Sequence, residues 1–227
     1  DQLWCDCTID LHDAVLTESA DFRGATFNHD AHFQDATFTN VAHFRRATFN
    51  RYAYFGGATF TNNAYFGGAT FTNNAYFGGA TFNRYAHFQD ATFTNNADFG
   101  GATFNRYANF QDATFTNANF ERATFNRYAD FGGATFTNAD FGGATFTNAN
   151  FERATFTNAD FEGATFTNAD FEGATFNRYA NFQDATFTNA NFERATFTND
   201  AHFEGATFTN ANFQDATFTN DANFQDA

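Results

Sequence analysis

Apolar residues in this chain follow a period of five or six residues that is kept almost from end to end. All 39 phenylalanines, from Phe22 to Phe224, share this register, and nearly every one has alanine two positions before it, as in Ala25-Thr26-Phe27. On an extended strand, side chains two residues apart point to the same side. The pattern therefore predicts short strands that bury alanine and phenylalanine, separated by polar corners. It excludes a helix, because apolar residues five apart would spread around the whole helix surface.

The units alternate in composition, and this alternation predicts four sides per coil. Odd units read Ala-Thr-Phe, whereas even units carry Asp, Asn, His or Tyr in place of the threonine. Twelve odd units are followed by a sixth residue, which we expect to bulge at two opposite corners. Between Phe131 and Phe176 the five-residue form is almost exclusive, and this predicts tighter coils in that stretch.

This repeat resembles the pentapeptide-repeat family, whose central residue is Leu or Phe with a small residue two before it. The resemblance covers about residues 9–227 and implies an all-β fold, a right-handed quadrilateral β-helix (β-solenoid) with a Phe/Ala core. We expect residues 1–10 to form an N-terminal cap or joint segment and residues 11–227 to form the solenoid. Roughly ten coils at roughly 4.8 Å each give a rod about 48 Å long.

Charge is distributed unevenly along the chain. The net charge is −15, and residues 1–35 hold eight acids and one arginine. Residues 36–89 hold four arginines and no acid, and residues 90–227 hold eighteen acids and six arginines. The sequence thus predicts an acidic tip, a basic band that is rich in tyrosine, and an acidic body. Such polarity is informative about partners rather than about the fold.

Candidate catalytic chemistry is sparse in this sequence. The six histidines are scattered, the tightest group being His29 and His32 with Asp30, and Ser19 is the only serine. We interpret the histidines as surface residues, and we expect no enzyme activity, no metal site and no cofactor. Cys5 and Cys7 are interpreted as two thiols of the cap region, with an intermolecular disulfide or a metal contact as the alternative. No apolar run approaches membrane-spanning length, so we do not expect membrane insertion.

Threonine forms the most regular polar pattern, since it flanks phenylalanine on both sides in many odd units. In five units we expect the threonine pairs to stack on one face in successive coils, which resembles the Thr-x-Thr grids of β-helical antifreeze proteins. Ice or surface binding is one interpretation, and the other is that threonine is simply a favourable solvent-facing strand residue. The threonines of this predicted face are Thr70, Thr72, Thr92, Thr94, Thr114, Thr116, Thr135, Thr137, Thr155 and Thr157.

A second polar column is predicted on the opposite odd face, where Asn83-Arg84-Tyr85, Asn105-Arg106-Tyr107 and Asn126-Arg127-Tyr128 should stack. Arginine and tyrosine in a ladder could bind an anionic or aromatic partner. The alternative is a corner at which stacked tyrosines shield the bulge.

Three hypotheses of function follow, none of them catalytic. The first is a structural solenoid that stacks end to end into a rod or fibre, because the sequence stops in mid-coil and uncapped strand edges are templates for pairing. The partner would be the chain itself or another protein. The apolar residues that would form this joint are Leu3, Trp4, Ile9, Leu11, Phe213, Phe218 and Phe224.

The second hypothesis comes from the resemblance. The best-known members of the pentapeptide-repeat family are acidic rods that mimic duplex DNA and occupy type II topoisomerases. The resemblance implies binding to such an enzyme or to another DNA-binding protein, without direct binding of nucleic acid. Its candidate acidic surface is Asp160, Glu162, Asp170 and Glu172. Ice or surface binding through the threonine face is the third hypothesis.

Overall fold

A computed structural model describes residues 4–5 and 8–227 of the chain. Leu3 and Cys7, which the sequence singles out, lie outside the described residues, and Trp4 and Cys5 are described by their backbone alone. Within the described part of the chain no helix is long and apolar enough to cross a membrane.

Each coil has four sides, and its strands pair in parallel with the equivalent strands of the neighbouring coils. We number the four sides faces 1 to 4 in chain order. The short strands of face 1 are Trp4–Cys5, Thr26–Phe27, Thr48–Phe49, Thr70–Phe71, Thr196–Phe197 and Thr217–Phe218. Those of face 2 are Ile9–Asp10, Ala31–His32, Ala53–Tyr54, Ala75–Tyr76, Ala201–His202 and Ala222–Asn223.

In the middle coils faces 1 and 2 join into single strands that run through the corner. These longer strands are Thr92–Asp98, Thr114–Asn119, Thr135–Asp140, Thr155–Asp160 and Thr175–Asn181.

Faces 3 and 4 repeat the arrangement on the other side of the rod. Face 3 has Val15–Leu16, Thr37–Phe38, Thr59–Phe60, Thr81–Phe82 and Thr103–Phe104. Face 4 has Ala20–Asp21, Ala42–His43, Ala64–Tyr65, Tyr85–His87 and Tyr107–Asn109. The strands that span both faces are Thr124–Asp130, Thr145–Asn150, Thr165–Asp170, Thr186–Asn191 and Thr207–Asn212.

Strand register confirms the predicted four-sided β-solenoid and its two coil sizes. A coil takes 22 residues from Thr92 to its partner Thr114, but 20 residues from Thr135 to Thr155. The register shifts where a sixth residue is present, for example between Phe125 and Tyr128 on faces 3 and 4. The extra residues therefore bulge at two opposite corners, and the coils between Phe131 and Phe176 are tighter, as predicted.

The core consists of four columns of phenylalanine rings lined by alanine. Phe115 is fully buried, and its ring lies nearly parallel to those of Phe93 at 4.7 Å and Phe136 at 4.9 Å. Within a coil the rings meet edge to face, as Phe115 does with Phe120 at 5.8 Å. Aromatic pairs prefer these two arrangements, so the repeated phenylalanine fixes both the spacing between coils and the packing across each coil.

The remaining two corners of each coil are tight turns between an even unit and the next odd unit. The carbonyl of Phe33 accepts the N–H of Ala36 at 3.2 Å, and Asp35 between them has a φ of 55°. In the next coil Gly57 has the same role at a φ of 67°. Left-handed backbone favours glycine, so Gly-Gly marks these corners as expected, while Asp and Arg occupy the same position in other coils.

Candidate interaction surfaces

The acidic columns lie at the outward position between alanine and phenylalanine on faces 2 and 4. Asp160 on face 2 is in register with Asp140, and Asp170 on face 4 is in register with Asn150. Each Oδ1 accepts the backbone N–H two residues later at 2.9 Å. Each also accepts Nδ2 of an asparagine in the next coil, at 3.1 Å. These carboxylates therefore cap a turn and join two coils while their charge stays at the surface.

Glu162 and Glu172 follow at the tight turns and differ in their partners. Glu172 Oε1 accepts a hydrogen bond from Nη1 of Arg194 at 2.9 Å. Glu162 is exposed, and among the described residues no cation lies within ion-pair distance of it. The structure brings Asp160 together with Glu162, and Asp170 together with Glu172, but the two pairs lie on opposite faces. The acidic body thus has two separate acidic surfaces.

Each acidic face also carries a groove parallel to the rod axis. The face 4 groove has a volume of about 790 Å³ and begins at Tyr128, and the face 2 groove has about 490 Å³ and runs from Tyr76 to Tyr179. On face 4 the floor is an alanine column that includes Ala169, which is 6% exposed. The asparagines of one wall bond to one another, as Asn168 Nδ2 does to Asn148 Oδ1 at 2.9 Å.

The grooves follow from the length of the corner. A sixth residue places a side chain beside the alanine of its coil, and Ala129 behind Tyr128 is 0% exposed. A five-residue corner has no such side chain, so Ala149 in the next coil is 5% exposed. Sequence reasoning did not predict the grooves, although the run of five-residue units that produces them is visible in the sequence.

The threonine face has the predicted register. Thr70, Thr92, Thr114, Thr135 and Thr155 pair in sequence along face 1. None of the ten threonines is buried.

The tyrosine column at the opposite corner also forms. Tyr107 stacks on Tyr85 at 4.9 Å and on Tyr128 at 5.2 Å, and its hydroxyl donates to Asp130 at 3.3 Å. Burial, followed by the nearby Asp130 carboxylate, raises the pKa of Tyr107 well above its ordinary value. The stacked tyrosines shield this corner, which is the simpler of the two interpretations.

The proposed joint residues are split between the two ends of the rod. Ile9 and Leu11 are half-buried against the first coils. Phe213 and Phe218 are half-buried in the last coil, and Phe224 is 42% exposed. The side chains of Leu3 and Trp4 are not described, so the structure shows five of the seven proposed joint residues, two at one end of the rod and three at the other.

The basic band differs from the acidic body in both its rings and its charges. On face 2, His32, Tyr54 and Tyr76 form a stack at 5.0 and 5.2 Å. On face 4 the guanidinium of Arg45 lies 4.4 Å from the ring centroid of Tyr65. Aromatic rings in this band thus occupy the outward position that carboxylates occupy in the body.

Two charged groups lie near the N-terminal end. Asp21 accepts a hydrogen bond from Arg23 at 2.6 Å, and this bond lowers the pKa of Asp21 to about 2. His12, Asp13 and Asp35 place one ligand atom each within 4.8 Å of one another. All three are exposed and come from two coils, which is why sequence spacing did not indicate the cluster.

A comparison with models of known protein families identifies the family of this chain. The family model for pentapeptide repeats (9 copies) matches overlapping segments from residues 8–48 to residues 182–227. The protein therefore belongs to the pentapeptide-repeat family, as its sequence pattern indicates. A comparison with curated protein sequences found no match.

Solved structures of similar proteins share low identity with this chain. HetL, a pentapeptide repeat protein involved in heterocyst differentiation regulation from the cyanobacterium Nostoc sp. strain PCC 7120, is 18% identical over 92% of this chain and 86% of its own, with a TM-score of 0.28. Trypsin-treated QnrB1, a plasmid-mediated fluoroquinolone resistance protein, is 17% identical over 95% of this chain and 90% of its own, with a TM-score of 0.33.

Proposed function

We propose that this protein is a non-catalytic rod that binds other proteins, and that its acidic body presents carboxylates to a basic, DNA-binding surface. The supporting observation is the arrangement of the acids on faces 2 and 4. There the carboxylates are fixed in register on a rigid core: Asp140 and Asp160 lie in adjacent coils of face 2, and Asp130 and Asp170 lie two coils apart on face 4 with Asn150 between them. Fixed charge of one sign on a rod resembles the charged backbone of a duplex.

The charge per unit length of the acidic body is closer to that of duplex DNA than the charge per unit length of the whole rod is. Residues 90–227 carry a net charge of −12. Their coils span about 34 Å, so the net charge is one per about 3 Å, against one per about 1.7 Å in duplex DNA. The basic band lies in other coils, residues 36–89, and does not interrupt this stretch.

Four conservative replacements test the proposal. Asp160→Asn, Glu162→Gln, Asp170→Asn and Glu172→Gln together remove four charges, and each new residue already occupies the equivalent place in another coil, as Asn181 does in the next coil on face 2. The asparagine oxygen there still accepts the turn N–H, at 3.0 Å from Gln183. The variant should fold normally and lose inhibition of a type II topoisomerase in a supercoiling assay.

A matched control removes four acids from the other end of the rod. Asp10→Asn, Asp13→Asn, Asp30→Asn and Asp35→Asn change the net charge by the same amount but leave the body intact. This control should inhibit like the unmodified protein, and inhibition should weaken with added salt because the contact is electrostatic. Equal loss in both variants, or no inhibition by micromolar unmodified protein at low salt, would contradict the proposal.

A second candidate is end-to-end stacking of this 227-residue chain. Interior rings such as Phe115 are 0% exposed, whereas Phe224 in the last layer is 42% exposed. A second copy would cover this layer and its strand edges. The ends carry acids, so salt should promote growth by screening their repulsion. Light scattering over a salt series tests this: growth that stops after deletion of residues 1–10 supports stacking, and a monomer at every ionic strength refutes it.

Ice binding is a third candidate, supported by the threonine register on face 1. It predicts shaped ice crystals that become round when Thr114 and Thr116 are replaced by bulky residues. Round crystals with the unmodified protein at millimolar concentration would exclude it.

A further inference from the structure

One tight-turn corner of the basic band combines unpaired cations with backbone donors that have no acceptor. The corner follows face 4 and forms a cleft of about 560 Å³ over successive coils. Its central turn is Gly67-Gly68, with Arg45 and Arg46 one coil before and Gln89 one coil after. We refer to it as the Gly67 cleft.

The backbone donors of this corner lack the side-chain cap that most coils of the acidic body have. In most coils of the acidic body the N–H two residues after the outward position is capped by an Asp or Asn side chain, as Asn109 caps Gln111 at 2.8 Å. In the Gly67 cleft the outward residues are His43, Tyr65 and His87, which supply no such cap. Among the described residues, the N–H groups of Arg45, Gly67 and Gln89 have no acceptor.

The two arginines beside the central turn are also without acidic partners. Arg122, Arg153 and Arg194 each pair with a glutamate. Within the part of the chain that the structure describes, neither Arg45 nor Arg46 has a carboxylate within ion-pair distance.

The two arginines lie close to the aromatic and glycine residues of the cleft. Arg45 lies over the Tyr65 ring at 4.4 Å, and a Cβ on Gly68 would lie 3.5 Å from Cγ of Arg46.

The absence of a side chain at Gly67 keeps the cleft open. A Cβ there would lie 2.7 Å from Nδ1 and Cε1 of His87, so only glycine fits without moving that ring. Asp90 lines one edge, and Arg23 lines the other but is already paired with Asp21 at 2.6 Å.

We propose that the Gly67 cleft binds a small oxyanion of the phosphate class, held by the turn N–H groups and the guanidinium groups of Arg45 and Arg46. An oxyanion oxygen would take the place that the Asp or Asn oxygen takes in other coils. Guanidinium groups match phosphate geometry, and charge-assisted hydrogen bonds are stronger than neutral ones. This site is independent of the acidic body and of its proposed partner.

Titration with inorganic phosphate, followed by amide chemical shifts, tests the site. The amides of Gly67 and Gln89 should shift with saturation. The face 2 corner provides an internal control, because Gly56 and Gly78 follow Tyr54 and Tyr76 and also lack a cap, but the turn positions of that corner in these coils, Gly56-Gly57 and Gly78-Gly79, and in the coil before them, Gln34-Asp35, hold no arginine. Equal shifts at both corners, or equal shifts with sodium chloride at matched ionic strength, would overturn the proposal.

Two pairs of variants, each with its own control, sharpen the test. Arg46→Gln should weaken phosphate binding by about tenfold or more, since a hydrogen bond to a charged group contributes about 1.5–3 kcal/mol. Arg51→Gln, which removes the same charge at a different corner of the band, should change it less than about twofold.

Tyr65→Asn should block the site, because the introduced asparagine oxygen can accept the N–H of Gly67 as Asn109 Oδ1 accepts that of Gln111. Phosphate should then no longer shift Gly67, while Tyr76→Asn on face 2 should have no effect. Undiminished binding in Tyr65→Asn, or equal losses in the two arginine variants, would refute the assignment.

Discussion

Removal of a single ring from the middle of the rod should be far more costly than removal of one from its last layer. Phe115 is fully buried and lies between two parallel rings at 4.7 and 4.9 Å. Phe→Ala in a packed core costs about 3–5 kcal/mol through lost burial and the cavity that remains. Because the neighbouring strands are tied into ladders on both sides, collapse into the cavity is restricted. We expect Phe115→Ala to fall in this range, and Phe115→Asp to cost more because it adds an unpaired carboxylate.

Phe224→Ala provides the matched control. Its ring is 42% exposed and stacks on one neighbour, Phe203, at 4.7 Å. We expect a loss below about 2 kcal/mol, since the exposed part of the ring gains little from burial. Urea unfolding followed by far-ultraviolet circular dichroism measures both variants. Equal shifts of the two midpoints would refute the ring columns as the source of stability.

Three further predictions concern turns and titrating groups. Arg122 has a φ of 55° and Gly143 a φ of 62° in equivalent turns. Arg122→Gly should therefore raise the free energy of unfolding by about 1 kcal/mol, and Gly143→Ala should lower it by a similar amount. A change of the opposite sign in either variant would contradict the turn geometry. Arg23→Gln should raise the pKa of Asp21 from about 2 toward 3.8, because the side-chain hydrogen bond that lowers it is lost; carboxyl carbon shifts in an NMR titration measure this, and an unchanged pKa would exclude the contact. Burial raises the pKa of Tyr107 above 10.0, so the unfolded chain ionises first, and this contribution to stability, present below pH 10.0, is lost as pH rises further. Burial also raises the pKa of Tyr54, Tyr128 and Tyr179, so phenolate absorbance should show several tyrosines that ionise late, and one fewer in Tyr107→Phe.

Sequence periodicity was sufficient for the fold because one residue type repeats in one register. Phenylalanine at every fifth or sixth position admits few alternatives to a coil with four sides, and the threonine columns follow from the same counting. The position of Thr135 above Thr114, for example, was predicted by coil length alone and is confirmed.

Features that depend on contacts between coils were less accessible from the sequence. The acids of the body alternate between faces 2 and 4, so Asp160 and Asp170 are close in sequence but lie on opposite sides of the rod. The N–H of Gly67 is uncapped because the Tyr65 side chain provides no acceptor for it. The grooves are open because a five-residue corner has no sixth side chain to cover the alanine. These three features depend on which residues are neighbours in space, or on a side chain that a position lacks, and the sequence pattern shows neither directly.

The distance between two points on one face tests the coil register most directly. Thr92 and Thr196 are both on face 1 and are joined through Thr114, Thr135, Thr155 and Thr175. Five coil steps at roughly 4.8 Å predict about 24 Å between them. Spin labels at these two positions, measured by pulsed dipolar spectroscopy, should give a narrow distribution near this value. A broad distribution, or one centred beyond about 40 Å, would contradict the four-sided solenoid from which every surface described above derives.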